Sequence, residues 1–162
     1  EHTVLIAEIS QPLQLSGGVP GGHIGHRLYA LFLQAQEHIF HIAMKELMNG
    51  QKQSHWMWFV FPQIKGLGRS STARYYAISC VDEAKAYLED DVLGGRIREI
   101  CNELLNHSEK SVQHMLGGID SIKLKSSMTL FDLVSPNDVF NKILDAFYSG
   151  ERDKCTIEIV NM

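Results

Sequence analysis

Residues 54–74 read SHWMWFVFPQIKGLGRSSTAR. Trp56, Trp58 and Val60 alternate with Met57, Phe59 and Phe61, so both faces of the segment are apolar. That pattern fits a buried strand or a short buried helix, and periodicity alone does not choose between them. Pro62 ends the run either way, because the residue before a proline is driven out of the helical region. What surrounds the segment decides the class. Strand-like segments do not alternate with helical ones along this chain, which disfavours a βαβ arrangement. The reading is a mainly α, compact single domain of six or seven helices, with short terminal strands.

Upstream, residues 28–48 carry the helical period. Leu28, Leu31, Phe32, Ala35, Ile39, Ile42 and Ala43 share one arc, and Gln34, His38, His41 and Lys45 share the opposite one. Asn49-Gly50 ends that helix. Downstream, helices are expected over 71–79, over 82–89 with Asp82 as N-cap, and along the stripe Leu93, Ile97, Ile100, Cys101, Leu104, Leu105. Ser108 can cap a short helix through Leu116, and Asp120 one running to about Val134. Ser135-Pro136-Asn137-Asp138 combines an N-cap, a proline at N1 and an acid at N3 ahead of the stripe Phe140, Ile143, Leu144, Phe147. Thr3–Ile9 (TVLIAEI) and Thr156–Val160 (TIEIV) look like strands. Residues 16–25, SGGVPGGHIG, hold five glycines and a proline and read as a turn or linker. Residues 1–27 are thus an extension, 28–156 the helical domain, and 157–162 a tail or short strand.

A chain of 162 residues can bury a core as one domain. Its 44% apolar and 21% charged residues are ordinary for a globular protein. No apolar run reaches the roughly 20 residues that a membrane helix needs, and no secretory leader is expected. The formal net charge of −4 argues against broad binding of duplex nucleic acid. Three scattered cysteines without a CxxC read as reduced thiols of a cytoplasmic protein.

The chemistry-bearing residues gather in two places. In the first, His55 is the natural acid/base candidate, because the unperturbed imidazole pKa lies near neutrality. Trp56 and Trp58 can stack on a base or sugar, and packing competes with that role. The turn Gly66-Leu67-Gly68-Arg69-Ser70 offers backbone N–H groups and a guanidinium to a phosphate or carboxylate, although it has no Walker or GxGxxG spacing. A serine-capped glycine turn explains it equally. The second place is the 120–134 segment. On a helical wheel Lys125, Thr129 and Asp132 share a polar face, while Lys123, Ser126 and Ser127 fall within the apolar arc. The hydroxyls can bond the carbonyl four residues back. A lysine there must snorkel, pair with an acid such as Asp120 or Glu46, or hold an anionic ligand. Gln36 and Glu46 lie in the apolar arc of the first long helix, each able to bond a buried backbone group, and Gln36 is also a pocket candidate. The histidines at 23/26 and 38/41 sit i, i+3, but Lys45 shares the 38/41 face and no HExxH is present, so no metal or cofactor is expected.

Three segments, SHWMWFVFPQIKGLGRSSTARYYAI, DEAKAYLEDDVLGGRI and GGIDSIKLKSSMTLFDLV, resemble the family catalogued as domain of unknown function 1810. FLQAQ upstream and Gly150-x-x-Asp153-x-x-Thr156 downstream keep the same order. The resemblance implies a compact, mainly α domain. By position it singles out Gln36, His55, Trp56, Trp58, Phe61, Pro62 and Gln63. Further along it picks Gly66, Gly68, Ser70, Lys123, Ser126, Ser127 and Thr129. Some members carry the name calpastatin, yet nothing here resembles a calpain-inhibitor repeat. The family is also distantly similar to the NADAR group, which acts on ADP-ribose-linked substrates. The expected partner is therefore a small anionic, phosphorylated ligand. In that reading Gln36, Trp56, Trp58, Gly66, Gly68, Arg69, Ser70, Ser126 and Ser127 bind, and His55, Gln63 and Lys123 carry any chemistry. A non-catalytic protein-interaction module is the alternative.

Overall fold

The computed structural model describes residues 20–162, the side chains from Ile24 onward. The expected strand at Thr3–Ile9 lies outside the described residues. Ten helices follow one another among the described residues, more than the six or seven expected, because the expected 28–48 helix divides in two and both the aromatic segment and Thr156–Val160 are helical. The first, α1, spans residues 20–36 and carries a π segment at Leu28–Leu33. Next come α2 (Phe40–Met48), α3 (Met57–Val60), α4 (Ser71–Tyr75), α5 (Val81–Glu89) and α6 (Asp91–Leu105). The last four are α7 (Val112–Leu116), α8 (Gly118–Val134), α9 (Phe140–Tyr148) and α10 (Lys154–Val160).

Local chemistry sets many of these boundaries. Asp90 caps α6 by accepting from the Val92 and Leu93 N–H groups, Ser111 caps α7, and Ser70 caps α4. The long helix expected over 28–48 is broken at 37–39, where Glu37 and Ile39 bond three residues back rather than four. Asp120 does not cap α8. Gly117 does, at φ +90°, a backbone setting that suits a residue without Cβ. The Ser135–Asp138 signature also departs from expectation. Its four residues form a turn, and Asp138 accepts from Ser135 and from the Val139 N–H before α9 begins.

No strand forms among the described residues. The aromatic segment becomes the short helix α3, and a single parallel bridge joins Ile64 to Ile78. Thr156–Val160, expected as a strand, is helix α10. The Asp153 carboxylate caps it by accepting from the Thr156 N–H and hydroxyl, and that cap outweighs the β preference of Thr, Ile and Val.

The core sits around α8, which packs on α5, α7, α9 and α10. A row of rings crosses it: Phe32 meets Tyr87 at 5.2 Å, Tyr87 meets Phe131 at 5.3 Å, and Phe131 meets Phe140 at 5.6 Å between centroids. The row ties α1, α5, α8 and α9 together. Phe61, Met57 and Trp56 fill the neighbouring space and are fully buried. The wheel reading of α8 needs correction. Thr129 and Asp132, read as sharing a polar face with Lys125, are buried, and Ile119, Ile122 and Leu133 are exposed. Neighbours enclose the C-terminal half of α8 on nearly every side, whereas its first turn stands clear. An average over the whole wheel does not describe either half.

Candidate functional site

The loop between α2 and α3 is held by one carboxylate. Glu46, on the last turn of α2, accepts from the Gln53 N–H at 2.8 Å, the Ser54 N–H at 3.0 Å, the Ser54 hydroxyl and the Trp56 indole N–H at 2.9 Å. Burial works to raise the carboxyl, but the hydrogen bonds from Ser54, Gln53 and Trp56 outweigh it and hold the group below its ordinary value. The result is that His55 and Trp58 are presented on a fixed frame. Trp56 points inward and Trp58 stays partly exposed.

Two lysines meet this frame. Lys52 pairs with Asp120 at 2.9 Å, and its ammonium lies 5.1 Å from the centre of the Trp56 ring. Lys123 approaches the other oxygen of Asp120 at 3.9 Å and lies 5.2 Å over the Trp58 ring. The His55 ring stacks alongside Trp58 at 6.5 Å. Two ammoniums therefore share one carboxylate, each against an indole face whose quadrupole attracts a cation. The Lys123 side chain is 24% exposed, so a dissolved anion can reach it. This ridge can bind a flat anionic group by stacking and ion pairing.

Of the sequence-predicted residues, the fold brings His55, Trp56, Trp58 and Lys123 to this ridge. Lys123 resolves as paired with Asp120, one of the partners expected for it. The others lie elsewhere. Gln36 is buried, donating to the Phe59 carbonyl at 2.7 Å and the Tyr87 hydroxyl at 3.0 Å. The Gln63 carbonyl accepts from the Ile78 N–H at the bridge. Ser70 caps its own helix through the Ala73 N–H at 3.1 Å. Gly68 packs so tightly on Ala73 that an added Cβ would come within 2.4 Å of its side chain, and Gly66, at φ +109°, faces Ile159. Arg69 is exposed. Ser126 reaches the Ile122 carbonyl and Asp153. Ser127 is fully buried, and its hydroxyl has no hydrogen-bond partner among the described residues.

Sequence reasoning missed Lys52, and no local signal marks it, since its partner Asp120 is far along the chain. Asp120 was visible as an i, i+3 neighbour of Lys123. Among the described residues, no group of three His, Cys, Asp or Glu side chains is placed to hold a metal ion, and no helix is long and apolar enough to cross a membrane.

A family model matches residues 27–160, almost the whole described chain. The chain belongs to the family described as "Protein of unknown function (DUF1810)". A solved structure supports the architecture. The crystal structure of the conserved hypothetical protein Rv1873 from Mycobacterium tuberculosis is 37% identical and superposes with a TM-score of 0.78. The match covers 86% of this chain and 96% of that one. No curated protein matches the chain. Within the DUF1810 region, the Gly150-x-x-Asp153-x-x-Thr156 motif has a structural use. Gly150 takes φ +78° after α9. Asp153 receives Thr156 and Ser126, and the Asp153 N–H donates to Thr129 at 2.9 Å. The motif therefore clamps α10 onto α8.

Proposed function

We propose that this protein binds a small phosphorylated ligand, nucleotide-like or ADP-ribose-like, on the Trp58–Lys123 ridge. The observation that carries the reading is the Lys123 ammonium, held over the Trp58 ring while sharing Asp120 with the closer Lys52. A carboxylate already engaged at 2.9 Å by one lysine leaves much of the second lysine's charge for a ligand. In this reading Trp58 stacks on the base or sugar, Lys123 neutralises a phosphate, and His55 orders water beside it. Turnover of an ADP-ribose conjugate, followed by product analysis, is the assay that would extend binding to hydrolysis.

The test is a thermal-shift screen against nucleotides, ADP-ribose, NAD and sugar phosphates. A ligand at about 100 times its Kd stabilises by about 2.7 kcal/mol, a shift of several degrees. Lys123→Met should abolish that shift and leave the helical circular dichroism unchanged, because Lys52 keeps Asp120 paired. A variant that unfolds would instead make Lys123 a structural pair and remove the ridge's principal residue.

A second reading rests on Ile119 and Ile122, which are 74% and 65% exposed on the first turns of α8 beside Lys123. Two large aliphatic side chains in water on adjoining turns suit a protein-interaction module. A flat ligand screen, together with concentration-dependent association lost in Ile122→Glu, would favour that reading.

A further inference from the structure

Three arginines of this chain are partly buried: Arg27, Arg96 and Arg98. Arg27 pairs with Glu83 at 2.6 Å, and Arg98 pairs with Asp138 at 2.9 Å. Arg96 has no carboxylate partner among the described residues. Its guanidinium is nonetheless held in place. It lies 5.5 Å over the Phe40 ring and donates to the Gln36 side-chain oxygen at 3.3 Å. Gln36 is fixed in turn by the Phe59 carbonyl and the Tyr87 hydroxyl. A partly desolvated cation, oriented but lacking a counter-ion, costs free energy that an anion would recover.

The space beside Arg96 suits such an anion. A cavity of about 530 Å³ opens between α2 and α6. That volume lies within the range of small-molecule sites. Phe40, Met44 and Met48 supply its apolar floor. Methionines offer a deformable, polarisable surface that accepts flat rings of varied shape. Lys45 and Arg96 on the lining outnumber its one acid, Glu99. None of these residues belongs to the Trp58–Lys123 ridge.

We infer that the α2–α6 cavity is a second ligand site, one that takes a small aromatic carboxylate. The ring lies on Phe40, Met44 and Met48, and the carboxylate pairs with Arg96 in the bidentate geometry its planar fork favours. Gln36 acts as a positioning residue, since it holds the guanidinium without entering the cavity. This gives a use to a buried glutamine that the ridge does not employ.

The probe is naphthalene-2-carboxylate, compared with naphthalene-2-carboxamide, titrated into the full chain and followed by amide chemical shifts. The carboxylate should shift the signals of residues 40–48 and 96–99 saturably, and the carboxamide should bind at least tenfold more weakly. Arg96→Gln should weaken the carboxylate at least tenfold. Met48→Glu tests the same point without risk to the fold, because Met48 is 58% exposed and the new charge would repel the ligand. It too should weaken binding at least tenfold, and Lys123→Met should leave it unchanged. The inference is overturned by equal affinity for acid and amide, by shifts confined to other regions, by an absence of shifts at millimolar probe, or by binding indifferent to Met48→Glu.

Discussion

Glu46 shows how one side chain can fix a site it never enters. Its carboxylate receives both N–H groups of Gln53 and Ser54, the Ser54 hydroxyl and the Trp56 indole. Hydrogen bonds to a charged acceptor contribute about 1.5–3 kcal/mol each when donors would otherwise be stranded. Some of these donors reach water once released, so Glu46→Gln should cost about 1–3 kcal/mol at neutral pH. The sign of the pH dependence follows from the lowered carboxyl. Its contribution is complete above the ordinary value of 4.5 and is lost as pH falls through the lower folded value. Urea denaturation of wild type and Glu46→Gln should therefore differ at pH 7 and converge in acid. Equal stability at pH 7 would refute the role given to Glu46. The sequence reading placed Glu46 in an apolar arc and expected it to bond backbone groups, which it does. It gave no sign that Trp56 would be among the donors, because that contact depends on how the 49–56 loop folds back.

Between elements, close approach matters more than propensity. Gly94 lies on α6, and a Cβ added there would come within 2.1 Å of the Leu88 carbonyl oxygen at the end of α5. The obstacle is backbone, so no side-chain rotation relieves it. Gly94→Ala would gain helix propensity on an isolated helix, but in the fold it should destabilise by about 1–3 kcal/mol or more through displacement of α5. A thermal midpoint equal to or above wild type would contradict this packing. The helices legible in sequence were those with a strong hydrophobic stripe. α6 and α9 emerged close to the expected limits because their buried residues, such as Ile97, Ile100, Ile143 and Leu144, recur at the helical period. α3 and α10 were less legible. Their short runs of aromatic and β-branched residues are compatible with either secondary structure until a partner surface exists. For α10 the decision lies with Asp153 and Thr156, which tie it to Ser126 and Thr129 on α8.

For the molecule as a whole, α8 and the ring row through Phe131 make a single cooperative core. Phe131 is fully buried between Tyr87 and Phe140, so Phe131→Ala should cost about 3–5 kcal/mol. Tryptophan fluorescence and far-ultraviolet circular dichroism should shift together, as a two-state domain requires. A tryptophan transition that moved alone would show that the ridge and the core unfold separately. Hydrophobic period, glycine and proline punctuation and long motifs determined from sequence that the chain is mainly helical and which family it belongs to. These are local or additive properties, readable wherever the pattern is long enough. The identity of the face that each helix buries was decided only in three dimensions. Thr129 and Asp132 went inside, and Ile119 and Ile122 stayed in water. Tertiary structure likewise decided that Lys52 and Lys123 share Asp120 and that Arg96 has no carboxylate partner among the described residues. Each of these outcomes depends on which distant segments become neighbours, and a pairing energy that falls steeply with distance has no counterpart in the order of residues along a chain.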